Sequence, residues 1–273
     1  MLIALDSAVS ALDQFQQDLN VIGNNIANVD TVGFKSSSMN FEDTFSQTLG
    51  SNAAGTMQVG TGVQISDIAG QFTQGSISST GVPSNLAVNG NGFFLVKDPV
   101  SGAEYATRDG NFSVDSSGNL VTSSGMRVQG YNNSALSTIG DININTAAAA
   151  SGDTSGVQSY NFSSNGKLNI LMADGINVTG GQVLLQNYTS PQQLLNVGNN
   201  LFSNLTAAGP LPAAAAPGNS GLGQLATSSL EESNVDLAGQ LTNLITTQRA
   251  YEANAKVVTT GDEVLQDVVN LKR

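Results

Sequence analysis

Apolar residues near the start of the chain recur every seven positions, at Leu5, Leu12, Leu19 and Ile26, with Ala8, Phe15 and Ile22 three residues after the first three. That spacing predicts a long helix with a narrow, two-position apolar seam. Asp6, Asp13, Gln14, Gln16, Gln17, Asp18 and Asn20 fall off the seam, and neither Pro nor Gly interrupts it before Gly23. Such a helix would run about 37 Å at ~1.5 Å per residue, and its stripe is too narrow to hold it alone. Toward the other end Leu230, Leu237, Leu244, Tyr251, Val258 and Leu265 also recur every seven, with Leu241, Ala255 and Val269 four positions beyond members of that series. Gln248 and Asp262 hold the second-series positions in between, where polar residues fix register at some cost in stability. Ser233 with Asp236 resembles a capping box, and Ser228 with Glu231 or Ser229 with Glu232 offer earlier starts. The second helix is therefore expected to begin between about 229 and 234.

Between these ends the punctuation is that of β structure. Asn89-Gly90, Asn91-Gly92 and Asn165-Gly166 are hairpin dipeptides. Residues Tyr105 to Val121 read as strand, turn, strand, turn, strand; Phe93 to Val96 and Gly181 to Tyr188 read as further strands. Ala147 to Gly156 and the proline-dotted Ala207 to Gly221 read as linkers, the second marking where the chain leaves the β region. The fold class expected is α+β, with discontinuous N- and C-terminal coiled-coil helices flanking a central antiparallel β-domain. Its parts are an N-terminal helix over 1–30, a connector over 31–70, a β-rich domain over 71–227 and a C-terminal helix over 228–273.

Composition narrows the chemistry. With 9 Lys+Arg against 21 Asp+Glu the formal charge is −12, so phosphate backbones are repelled and nucleic acid is excluded as a partner. The absence of His and Cys removes imidazole and thiolate as nucleophile, base or metal ligand. No catalytic, cofactor-binding or metal-binding residue is expected, and no cofactor. Gly90-x-Gly92 leads into the strand-like Phe93-Phe94-Leu95-Val96 rather than a helix, which argues against a phosphate cradle. Asp109 and Asp115 lack the calcium-loop spacing and read as turn-capping carboxylates. Adjacent Glu231 and Glu232 read as helix-start charges; Lys35 and Arg249, lone cations near each helical segment, read as solvated tips, with salt bridges across an assembly as the alternative. The first basic residue is Lys35, and no run approaches the ~18 apolar residues of a membrane span, so neither a cleavable Sec signal nor a span is expected.

Two stretches carry a resemblance. Asn24-Asn25-Ile26-Ala27-Asn28-Val29-Asp30-Thr31-Val32-Gly33-Phe34-Lys35 is similar to the N-terminal signature of the axial proteins of the bacterial flagellum, the rod, hook and hook-associated proteins. Its C-terminal counterpart is Glu232 to Leu237 followed by Gln248 to Lys256. Gly90-Asn91-Gly92-Phe93-Phe94, an Arg108 to Phe112 hairpin and Gly198 to Phe202 extend the resemblance over almost the whole chain. Phe72 to Ile77 and Gln129-Gly130-Tyr131 look most like a short hook protein; the length looks like a distal rod protein, which is the alternative. A secreted β-rich adhesin stays as a distant reading.

The resemblance implies a structural subunit, not an enzyme, that polymerises with itself into a tube of the flagellar hook or basal body. In a hook it would be a flexible joint carrying motor torque from rod to filament; in a rod, a stiffer drive shaft. It further implies rod, hook-cap and hook–filament junction proteins as partners, export by the flagellar type III apparatus without a cleaved Sec signal, and a place in the extracellular flagellum. Asn24, Asn25, Asn28, Gly33, Phe34 and Lys35 are the motif residues. The N-terminal seam from Leu5 to Ile26, together with Leu237, Leu241, Leu244, Gln248, Tyr251, Ala255, Val258 and Leu265, is expected to carry assembly.

Overall fold

The computed structural model describes residues 2–52, 55–133, 136, 138–145, 156–211, 214–219 and 221–271. The chain forms two compact units, one of Met1–Val29, Ser36–Gln71 and Val235–Arg273, the other of Asp30–Lys35 and Phe72–Asn234.

The first unit is built on two helices, Leu2–Ala27 and Leu237–Asn270, packed on each other. Asp236 is the N-cap of the second, its carboxylate accepting the Ala238 N–H at 3.1 Å. This start lies beyond the 229–234 window, because Ser229–Glu231 is committed to an antiparallel pairing with Ile77–Ser79 in the other unit. The stretch 31–70, expected as a connector, holds strands: Ser37–Asp43 pairs antiparallel with Val63–Gly70, and Ser46–Asn52 with Gly55–Gly60. Met39 is buried, and the Phe41 ring lies 5.8 Å from that of Phe15 on the N-terminal helix. This ribbon therefore packs on the helix that precedes it.

The second unit is an antiparallel β body. Its main sheet runs Val157–Phe162, Lys167–Met172, Asn177–Val183, Arg127–Tyr131, Phe93–Lys97, Glu104–Thr107, Leu201–Ser203, Leu195–Gly198. One core gathers Leu86, Phe94, Leu120, Leu168, Ile170 and Leu185; a smaller one packs Phe93, Tyr188 and Phe202 with Phe72 at its edge. In the smaller core the rings of Phe72, Phe93, Tyr188 and Phe202 meet edge to face at 5.5–6.0 Å.

Local turn signals and the pairings they make part company here. Asn165-Gly166 does close a hairpin, with Gly166 at φ 80, and Ser117-Gly118 closes another. Asn89 to Gly92 does not: Leu86–Asn89 pairs with the distant Gln224–Thr227, so the glycines carry the chain between sheets. Arg108 to Phe112 is not a hairpin either, since Glu104–Thr107 pairs with Phe93–Lys97 and Leu201–Ser203. Gly181 to Tyr188 divides into strands Asn177–Val183 and Leu185–Gln186. The 207–221 stretch is no exit linker, because Ala215 bridges Leu185, Pro210 bridges Tyr188, and two more strands follow. Most of the 147–156 linker lies outside the described residues.

Candidate functional site

The helix pair arranges the expected assembly residues. On the N-terminal helix Ala8 and Ile22 are buried, and Leu5, Leu12, Phe15, Leu19 and Ile26 are half-buried. On the C-terminal helix Leu244, Ala255, Val258 and Leu265 are half-buried, whereas Leu237, Leu241, Gln248 and Tyr251 are exposed. Inward alternation with Leu244, Val258 and Leu265 comes from a polar and small series: Gln240, Thr247, Asn254 and Gly261. Gln240 Oε1 accepts from Asn25 Nδ2 at 3.3 Å, and the Thr247 hydroxyl donates to Asp18 at 2.9 Å. A Cβ on Gly261 would stand 2.5 Å from Leu5 Cδ2, so the glycine makes the hole that Leu5 fills. The second apolar series was one residue off the face that meets the partner helix in this chain. Leu241 and Ile245 are left exposed on one flank of that face and Val257 and Val264 on the other, with Val268 exposed one heptad beyond Gly261.

The motif asparagines serve the first unit. Asn25 is buried and grips the Ser37 backbone from both sides, donating to its carbonyl at 2.8 Å and accepting its N–H at 3.0 Å. Asn28 donates to the Asn24 carbonyl at 2.9 Å and to its side chain at 3.1 Å, closing the last helical turn.

Gly33, Phe34 and Lys35 belong to the second unit and are all buried. Lys35, expected as a solvated tip, donates to Glu231 at 2.6 Å and to the Thr73 carbonyl at 2.8 Å. Glu231, expected as a helix-start charge, is 0% exposed and also accepts from the Gly75 N–H at 3.0 Å and Arg108 at 3.3 Å. Arg108 donates its other terminal nitrogen to the Gly90 carbonyl at 3.0 Å, and its guanidinium lies 5.0 Å from the centre of the Phe93 ring. Two cations thus share one carboxylate in a site closed to water. Burial pushes the Lys35 ammonium below its ordinary range, against the pull of Glu231 and with the push of Arg108. Gly33 fits because its φ is 68 and a Cβ there would meet the Asp109 nitrogen at 2.7 Å.

Sequence reasoning missed this cluster, since Lys35, Arg108 and Glu231 share no periodicity; the one signal was that two of them lie in the motif stretches. Asp109 and Asp115 do cap turns. Asp109 accepts the Asn111 N–H at 2.9 Å, and Asp115 accepts those of Ser117 at 2.9 Å and Asn119 at 2.7 Å. Burial pushes Asp109 above the usual carboxylate range, while the Asn119 side chain and amide hold Asp115 below it. Arg249 is exposed beside Glu252 at 3.0 Å. Among the described residues no acidic cluster is placed to hold a metal, and no helix is long and apolar enough to cross a membrane.

Known proteins match along this layout. The family described as flagella basal body rod protein matches residues 5–35, the flagellar hook protein FlgE/F/G D1 domain matches 87–170, and the flagellar basal body rod FlgEFG protein C-terminal family matches 226–271. The flagellar basal-body rod protein FlgG of Bacillus subtilis is 40% identical over 281 residues, covering 100% of both chains, and that of Borreliella burgdorferi 34% identical over 293 residues, again covering 100% of both. The flagellar hook protein FlgE of Borreliella burgdorferi is 41% identical over 157 residues, but this covers 54% of this chain and 35% of the hook protein. With family matches on both helices and the β body, and relatives aligned from end to end, the chain belongs to the rod and hook protein family of the bacterial flagellum.

Proposed function

We propose that the chain is a subunit of the distal rod of the flagellar basal body, polymerising with its own copies into a stiff tubular shaft. One observation carries this reading over the short-hook one: the alignment to rod proteins named FlgG runs end to end, whereas the alignment to a hook protein covers 35% of that protein. Family membership makes it a structural protein of the flagellum, not an enzyme.

The helix pair supports assembly on physical grounds. Leu241 is 45% exposed, Ile245 57% and Val268 53% on a helix with a single buried residue, Thr247, among those described. Apolar surface of this kind gains about 25 cal/mol for each Å² removed from water. Neighbouring copies supply the cover. Where this apolar surface meets a different patch of the next copy, the contact is heterologous and propagates as a helical polymer. In this reading Leu237, Leu241, Gln248 and Tyr251 face a neighbouring copy, other rod and hook subunits are the end-to-end partners, and the subunit reaches the flagellum by the type III export route.

The test is electron microscopy of the full-length protein concentrated under salting-out conditions. Straight tubes are expected. Curved tubes would return the hook reading, and persistent monomers would remove self-assembly from the account.

A further inference from the structure

The chain passes between its two units four times, after Val29, Lys35, Gln71 and Asn234. On the side of the β body, the segments that make these passages are tied to one another as well as to the body. Lys35 binds Glu231 and the Thr73 carbonyl; Asn234 donates to the same carbonyl at 3.3 Å and to the Thr73 hydroxyl at 2.8 Å. Main-chain bonds repeat the pattern: the Gly33 N–H donates to the Glu231 carbonyl at 2.8 Å, and the Glu232 N–H to the Ser76 carbonyl at 2.8 Å. The knot is rooted in the body by Arg108 to Glu231, by Asn200 donating to the Val32 carbonyl at 2.7 Å, and by Gln74, which donates to the Val88 carbonyl at 2.9 Å and accepts the Gly90 N–H at 2.8 Å.

We propose that the Lys35–Glu231–Arg108 cluster is a clasp that locks segments 30–35, 72–76 and 229–234 into one element, so that load arriving on any passage is carried into the β body as a unit. Three linkers anchored apart would stretch and fray one at a time. A shared buried carboxylate opposes that, because freeing 229–234 strands Lys35 and Arg108 away from water, and freeing 30–35 or 72–76 strips the buried network of a hydrogen-bond partner. The excess of cations sharpens the effect at Glu231, since losing the one carboxylate would leave two buried positive charges facing each other. What load the clasp carries rests on the rod reading; the existence of the clasp does not.

The experiment is amide hydrogen exchange on the full-length monomer, comparing wild type with Glu231→Gln and Lys35→Met. The expected result is exchange at least tenfold faster in all three segments together, with Lys167–Met172 and the two helices unchanged. Loosening confined to 229–234, or no change, would overturn the clasp. If Glu231→Gln does not fold, Lys35→Met decides, because it leaves Glu231 and Arg108 as a neutral pair; protection lost evenly over the whole β body in that variant would reduce the cluster to an ordinary core contact. Tubes of Lys35→Met should then show a persistence length at least twofold shorter than wild type at unchanged diameter. A failure of the wild type to form tubes defeats the rod reading alone, and unchanged exchange defeats the clasp alone.

Discussion

At Glu231 one carboxylate satisfies Lys35, Arg108 and a main-chain N–H in a site where all three charged residues are buried. The electrostatics have a definite sign. Lys35 has its folded-state value lowered from 10.5 by burial, so in the window from that lowered value up to 10.5 the unfolded chain binds more protons than the folded one. Stability from this group therefore rises with pH across that window. In urea titrations at alkaline pH below 10.5, wild type should gain on Lys35→Met as pH rises; a parallel pair of curves would show that the ammonium is not desolvated. Tyr188 offers a simpler case: its hydroxyl is buried with no hydrogen-bond partner among the described residues, and burial holds it protonated far above the usual phenol range. Tyr188→Phe should raise the stability of the β body by about 1 kcal/mol, read as a shift in the urea midpoint, because a buried unpaired hydroxyl costs about that much.

Elements were legible where periodicity alone determines them. Leu5, Leu12, Leu19 and Ile26 announce the N-terminal helix because a helix buries residues by sequence spacing, and Asn165-Gly166 announces its hairpin because the turn backbone demands those residues. The same logic failed at Asn89 to Gly92, where the glycines serve a crossing from Leu86–Asn89, paired with Gln224–Thr227, to Phe93–Lys97 in the main sheet, which no local pattern encodes. It failed again at Glu231, whose partners lie 196 and 123 residues away. The C-terminal helix shows both outcomes: Leu244, Val258 and Leu265 were readable, but their inward companions are Gln240, Thr247, Asn254 and Gly261, which carry no hydrophobic signal. Its start was displaced by a long-range strand pairing, and the actual cap, Asp236, can be tested. Asp236→Ala should cost the helix pair about 1 kcal/mol, seen as a lower thermal midpoint of the far-ultraviolet helical signal. An unchanged midpoint would mean that the first turn is held by packing instead.

For the whole molecule, the two sides of the C-terminal helix do different work, and single substitutions separate them. Leu244 is half-buried in the stripe that meets the N-terminal helix, so Leu244→Asp should lower monomer helicity and abolish assembly together, while the β body stays folded. Leu241 is nearly half exposed, so Leu241→Asp should leave monomer circular dichroism intact and stability within about 0.5 kcal/mol, as surface changes usually do. If neighbouring copies cover that side, however, the same change buries an unpaired carboxylate at every contact of a repeating polymer. A cost of a few kcal/mol per contact is multiplied along the tube, so even a modest penalty blocks growth. Sedimentation of concentrated protein should therefore show wild type entering the pellet and Leu241→Asp remaining monomeric. Normal tubes from Leu241→Asp would mean that the exposed leucine faces solvent in the assembled shaft, and the subunit contacts would have to be sought on the β body.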